Sequence, residues 1–255
     1  LEVALRRAGV TRARSIEELF DFTTVFAPGN LPAGPRTAII TNAGGPGVIT
    51  TDAVAGTGLE LAPLADQTAA TLGKLLPAEA NLHNPVDLIG DARAARYQTA
   101  LSTVLGDKGV DSAVVLLTPQ SMTEIPQTAE VIIRCAQASG KPVVASFIGG
   151  AAVAEGAEKL RQAAVPAYDT PDRAVRALAA LTEYAAYRAR PRRKPPKGQR
   201  PKRTSGHALK HAAATGRTAL TGAEAGKVVE PYGIEVPKIL PAADVAVAAK
   251  VAGRV

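Results

Sequence analysis

The chain has 255 residues, 46% of them hydrophobic, and a formal net charge of +7, which is material for one large or two ordinary domains with a sizeable core. No apolar run approaches the ~18 residues needed to cross a bilayer, and the opening residues LEVALRRAGV lack a secretory layout, so the expectation is a soluble, cytoplasmic protein. The one cysteine, Cys135, excludes an internal disulfide framework and a multi-cysteine metal site; within the apolar helical pattern VIIRCAQA it reads as a packing residue.

Residues 1–26 read as two amphipathic helical pieces. LEVALRRAG is ended by Gly9, and SIEELFDFTTVF is opened by Ser15 with Glu18 three residues on, as in a capping box. With the Pro/Gly connector APGNLPAGP, residues 1–35 are too short to fold alone and are expected to end a preceding domain.

From Arg36 onward strands and helices alternate. Strands are predicted at 37–41, 59–64, 112–117, 142–148 and 165–169, and helices at about 47–57, 67–76, 91–106, 124–139, 151–163 and 171–189. Thr170 is placed to cap the last helix, with Pro171 at its first position. The strand runs are continuously apolar, as in strands covered on both faces. Residues 36–187 are therefore predicted to form an α/β domain, a flavodoxin-like doubly wound parallel sheet whose ligands bind beyond the strands' carboxyl ends.

At one such end lies Thr37 to Leu59, TAIITNAGGPGVITTDAVAGTGL, in which an apolar strand meets a glycine-rich turn and then a helix. Gly44, Gly45 and Gly47 have no Cβ, so positive φ is open to them and their N–H groups can approach an anion. The helix after Pro46 would aim its positive end at the same point. The pattern is neither GxGxxG nor GxxxxGK[ST], and taken alone it is equally a tight strand-to-helix turn.

Nine of the positive side chains (Arg188, Arg190, Arg192, Arg193, Lys194, Lys197, Arg200, Lys202 and Arg203) lie in one stretch without an acid, and removing them leaves −2 for the rest of the chain. The basicity thus belongs to a Pro-rich linker, residues 188–216, and not to a folded surface. No aromatic residue interleaves the charges, which argues against specific nucleic-acid binding. His207 and His211 are four apart, on one helical face, without a third ligand nearby, and read as a solvated linker helix and not a metal pair. Residues 217–255 open a new pattern, a helix ending near Tyr232 and Gly233, a short strand and a second helix, too short to bury a core of its own.

Three segments in this order, TNAGGPGVITTDAV, HNPVDLIGDA (83–92) and LLTPQSMT (116–123), resemble the nucleotide-diphosphate-forming acyl-CoA synthetases of the succinyl-CoA synthetase superfamily. By that resemblance 36–187 is the CoA-ligase domain, 1–35 the last helices of the preceding flavodoxin-like domain, and 217–255 the start of an ATP-grasp domain, with PYGIEVP at its helix-to-strand junction. The resemblance implies interconversion of acyl-CoA, phosphate and ADP with the free acid, CoA and ATP, through an acyl phosphate and a phosphorylated histidine. It implies phosphate contacts from Asn42, Ala43, Gly44, Gly45 and Gly47, supported by Asn84, Pro85, Asp87, Thr118 and Pro119. Mg²⁺, ADP or ATP, and CoA would serve the full enzyme, with none held tightly here, no metal site and no membrane or specific nucleic-acid partner. Other domains of the same enzyme would be its partners, and a homodimer is left open.

The family's phosphorylated histidine lies in a segment resembling SHTGALAG, which is not in this sequence, so no catalytic residue is assigned and the chain reads as an inactive fragment. His83 is read as part of a turn and not as a replacement nucleophile. A second reading is a non-catalytic ligand-sensing module of an acyl-CoA synthetase-like protein acetyltransferase. A flavin-binding flavodoxin-like protein is disfavoured, because only 4% of residues are aromatic and none lies near the glycine turn.

Overall fold

In the computed structural model the described residues are 2–191, 205–237, 239–240 and 242–252. They fall into two compact units, Leu1–Arg190 and Pro191–Val255.

The first unit is built on six parallel strands: β1 (Arg36–Thr41), β2 (Glu60–Leu61), β3 (Val86–Asp87), β4 (Ser112–Leu117), β5 (Val143–Phe147) and β6 (Ala167–Tyr168). Their order is β2-β1-β4-β5-β6, with β3 pairing β1 beyond the end of β2. The helices are α1 (Glu2–Ala8), α2 (Ile16–Phe26), α3 (Gly44–Val54), α4 (Asp66–Leu75), α5 (Ala94–Gly106), α6 (Ile125–Ser139), α7 (Ala154–Gln162) and α8 (Pro171–Ala189). The flavodoxin-like expectation is met, and β1 and β4 flank the point where the strand order reverses.

Side-chain alternation along the central strands explains their continuously apolar sequence. Ala38, Ile40, Ala113, Val115, Leu117, Val143, Ala145 and Phe147 enter a core covered by α4 to α7. Ile39, Val114, Leu116 and Val144 enter a second core, beneath α3 and α8. Every residue of β4 and β5 is buried, as a sheet with helices on both faces requires. Cys135 is buried on α6 among the first of these cores, in the packing role expected.

The strand at 59–64 shrinks to Glu60–Leu61. Pro63 has no N–H for the ladder, and the place beside β1 is taken by a side chain: Asn84 Oδ1 accepts the Ile39 N–H at 2.9 Å, and Asn84 Nδ2 donates to the carbonyls of Thr37 (2.8 Å) and Ala62 (3.1 Å). Just beyond it β3 pairs Val86 with Ile40 and Asp87 with Thr41. This sixth strand is absent from the sequence expectation, because two residues after a proline give no period to read.

Segment 1–35 lies in the first unit. Asp21, 7% exposed, accepts from Arg173 on α8 at 2.6 and 2.9 Å, Tyr168 Oη donates to the Asp21 carbonyl at 2.9 Å, and Phe26 stacks edge-on with Tyr184. Ser15 caps α2 by accepting from Glu18 N, while the Glu18 carboxylate takes the Arg14 N–H and not that of Ser15, so the capping box is displaced by one residue. Thr170 precedes α8 with Pro171 at its first position, but its hydroxyl donates to Asp172 and makes no cap bond with the backbone.

The second unit contains α9 (Ser205–Ala214), α10 (Gly222–Val229), a 3-10 turn at Glu230–Tyr232 and α11 (Val245–Ala252). Thr221 and Glu224 form a reciprocal capping box on α10, and Arg217 pairs with Glu224 at 2.8 Å. Gly233 closes the turn in the left-handed region, φ 75°. The short strand expected after it does not form: residues 234–237 carry no regular secondary structure. The basic core of the linker, residues 192–204, lies outside the described residues.

Candidate functional site

At the carboxyl end of β1 the chain turns into α3 without a side-chain cap. Ala43 is the N-cap, extended at φ −151° and ψ 125°. Its N–H is accepted by Thr41 Oγ1 at 3.0 Å, and the same hydroxyl donates to its carbonyl at 2.9 Å, which fixes the entry angle of the chain. The N–H groups of Gly44 and Gly45 are the helix's orphan donors. Both residues are exposed, and neither N–H finds an acceptor among the described residues.

Two details differ from the sequence expectation. Pro46 sits in the third helical position, not the first, because α3 begins at Gly44. None of Gly44, Gly45 and Gly47 uses positive φ; these glycines serve close approach. A Cβ on Gly47 would stand 3.2 Å from Thr41 Cγ2, and one on Gly44 would stand 3.3 Å from Asp87 Oδ2, whereas one on Gly45 would meet nothing within 4 Å. The Gly47 N–H is taken by the Ala43 carbonyl at 3.2 Å, so the free donors reduce to Gly44 and Gly45.

Asn42 is not a free donor either. Its side chain is buried and spans the point of strand reversal: Nδ2 donates to the Thr118 carbonyl at 2.8 Å, and Oδ1 accepts from Thr118 N at 2.9 Å and Thr118 Oγ1 at 3.1 Å. This amide ties the end of β1 to the end of β4 and forms the floor of the crevice. Pro119 backs that floor against Gly149, where a Cβ would lie 2.8 Å from Pro119 Cγ.

The 83–92 motif lines the other side. Pro85 packs near Gly47, and Asp87 Oδ1 accepts the Ile89 N–H at 2.9 Å. Gly90 lies beside the Asn42 carbonyl and Gln120. Tyr97, fully buried beneath this loop, donates to the Leu116 carbonyl at 2.8 Å. Burial, and then the charge of Asp87, push its phenol well above its usual range, so it remains a donor. Of the residues expected around the turn, the structure brings Asn42, Pro85, Asp87, Thr118 and Pro119 to it, whereas Asn84 sits farther back in the sheet, bonded to Thr37, Ile39 and Ala62. What sequence reasoning missed is Ile89, a β-branched residue at φ 67°; no sequence signal marks it.

His83 is exposed and bonds only within its own loop, through its N–H to Asn81 Oδ1. His207 and His211 sit on the exposed face of α9, and no group of three or more potential metal ligands occurs among the described residues.

A cavity of about 420 Å³ lies away from the turn, between α1, α2 and α8. Its charges are mostly paired, Arg6 with Glu183, Arg12 with Glu2 and Arg173 with Asp21. The open donors at the strand-order reversal are the better candidate for chemistry.

Fold and site together define a doubly wound α/β protein with an uncapped, glycine-opened helix at the switch point of its sheet, the place where such sheets take anionic ligands. The chain belongs to the Ligase-CoA domain family, whose model matches residues 37–191. An ADP-forming acetate–CoA ligase I of Archaeoglobus fulgidus is 37% identical over 237 residues, 91% of this chain and 33% of the relative. The α subunit of ADP-forming acetate–CoA ligase II of Pyrococcus furiosus is 36% identical over 188 residues, 72% of this chain and 41% of the relative. A solved acetyl-coenzyme A synthetase 1 of Candidatus Korarchaeum cryptofilum, in complex with phosphate and ADP, superposes with a TM-score of 0.69 at 33% identity, over 74% of this chain and 41% of that one. The chain therefore spans between a third and about two fifths of the length of these relatives.

Proposed function

We propose that this chain is the phosphate-docking part of an ADP-forming acyl-CoA synthetase, an acid–thiol ligase that interconverts acyl-CoA, phosphate and ADP with the carboxylic acid, CoA and ATP through an acyl phosphate and a phosphohistidine. The observation that carries this reading is the pair of exposed, unpartnered N–H groups of Gly44 and Gly45 at the sheet's switch point. Family membership, and a relative solved in complex with phosphate and ADP, support phosphate as the anion.

In this reading a phosphoryl group sits over the start of α3, and two backbone N–H groups and the helix dipole face its oxygens. The donors are held before the ligand arrives, by Thr41 from beneath and by the Asn42–Thr118 bridge beside them, so negative charge is stabilised without reorganisation. The phosphorylated histidine comes from another part of the enzyme; His83 bonds only within its own loop, and His207 and His211 lie on the exposed face of α9. Mg²⁺ accompanies the nucleotide, also elsewhere, and the use of CoA and nucleotides fits the cytoplasm.

The test is a titration of the ¹⁵N-labelled chain with inorganic phosphate. Amide shifts should concentrate at residues 43–48, and Gly45→Val, which fills the open space above the N–H pair, should abolish them. An absence of shifts there removes the reading. For the whole enzyme, incubation with radiolabelled ATP and Mg²⁺ should give an acid-labile, base-stable phosphoprotein that is discharged by the acid plus CoA.

A further inference from the structure

One carboxylate faces the same end of α3 as the two free N–H groups. Asp87 Oδ1 is committed to the Ile89 N–H at 2.9 Å, and Oδ2 lies 3.3 Å from the point where a Gly44 Cβ would stand, with no hydrogen-bond partner among the described residues. The group is held in place. Asp87 N donates to the Asn81 carbonyl and its own carbonyl accepts from Asn81 N, both at 3.1 Å; the next residue, Leu88, donates to the Thr41 carbonyl at 2.8 Å. Ile89, whose N–H makes that bond, has a left-handed backbone at φ 67°, unusual for a β-branched residue.

An ionised carboxylate beside two donors has a definite chemical preference. It is an acceptor only, so it repels an oxyanion that carries no proton. An oxyanion with an O–H satisfies all three groups, taking two N–H bonds on bare oxygens and donating its own proton to Oδ2.

We propose that Asp87 is the specificity-determining residue of the glycine turn, selecting proton-bearing oxyanions such as inorganic phosphate over fully deprotonated ones such as sulfate; this rests on the phosphate-docking reading above. At neutral pH inorganic phosphate keeps at least one proton and sulfate has none, while the two match in size and shape. The discrimination therefore isolates the carboxylate's contribution from that of the helix dipole, which favours both anions alike. The selectivity admits free phosphate to the turn and keeps out a common ion that would otherwise compete for the same N–H pair.

The experiment is a parallel titration of the full 255-residue chain with sodium phosphate and sodium sulfate at matched ionic strength and neutral pH, read from the amide shifts at 43–48. Phosphate should bind at least ~10-fold more tightly than sulfate, the usual scale for one hydrogen bond to a charged group. In Asp87→Asn, which retains an acceptor for the Ile89 N–H and turns the repelling oxygen into an amide, sulfate affinity should rise to within ~2-fold of phosphate. Equal binding of both anions by the wild-type chain overturns the assignment of Asp87 and leaves phosphate docking intact, and it does so without reference to the variant's folding. A preference that persists unchanged in a folded Asp87→Asn variant overturns it too. No shift with either anion overturns the docking reading together with this one.

Discussion

Replacing Asn84 by alanine removes one acceptor and two donors from the middle of the sheet. The Ile39 N–H loses its acceptor at 2.9 Å and the Ala62 carbonyl its donor at 3.1 Å, while the Thr37 carbonyl loses the 2.8 Å bond but keeps the Ala62 N–H at 2.9 Å. All three residues are at most 1% exposed. A buried group left unpaired costs about 1–3 kcal/mol, which sets a ceiling of ~6 kcal/mol for two. Asn84 is itself half-buried, so water enters part of the vacated space and the expected loss is about 3 kcal/mol. Equilibrium urea unfolding followed by far-UV circular dichroism reads it as a lower midpoint with an unchanged slope.

Asn84→Asp supplies a second reading of the same contacts. It keeps the shape but sets a carboxylate against two carbonyl oxygens, so its folded-state pKa rises above the unfolded value of about 3.9. Between the two values the folded chain holds a proton that the unfolded chain has lost. Relative to the wild-type chain, the variant's deficit is then smallest below about pH 4 and grows as the pH rises through its folded pKa. A loss below about 1 kcal/mol for alanine, or a pH-indifferent aspartate variant, would refute the reasoning that this amide completes the sheet.

Gly156→Ala should destabilise the α6–α7 contact by about 2–3 kcal/mol through overpacking, since its Cβ would lie 2.7 Å from Ile125 Cγ2 and 2.8 Å from Phe147 Cε2; thermal unfolding measures it. Gly45→Ala, with open space around its Cβ, should leave the fold unharmed and raise stability by up to ~1 kcal/mol from helix propensity, and a fall in midpoint would contradict the backbone described. Arg173→Ala leaves the buried Asp21 carboxylate unpaired and should cost about 3 kcal/mol, with hydrogen exchange rising first in α2. Acid sensitivity should trace partly to two carboxylates held below the usual 3.8. At Asp111 the Arg36 guanidinium outweighs burial; at Asp107 burial alone would raise the pKa, but the N–H groups of Ala65 and Gly109 and the Thr68 hydroxyl outweigh it. Because the unfolded chain takes up these protons first, their contribution is present above about pH 4 and is lost as the pH falls below it. Asp111→Asn should flatten part of that limb of the pH–stability curve.

Much of the fold was legible in the chain because it rests on period and punctuation. The runs TAIIT, SAVVLL and PVVASF are apolar throughout, which only a doubly covered sheet tolerates, and the Thr170–Pro171 pair marks the start of α8 to the residue. The family, too, was legible, since three short motifs in fixed order carry it. What the sequence could not decide depends on contacts between residues far apart in it. That a side chain, Asn84, replaces a stretch of strand follows from β2 and β3 both lying against β1. That the Asn42 side chain is a strut follows from Thr118 standing 76 residues away and within 2.8 Å. The glycines were read as a conformational need, yet Gly44, Gly45 and Gly47 all keep ordinary helical backbone; a Cβ at Gly44 or Gly47 would instead crowd Asp87 Oδ2 at 3.3 Å or Thr41 Cγ2 at 3.2 Å. Local chemistry wrote the helix start and the order of the motifs, and tertiary packing alone determined which N–H groups were left open at its mouth.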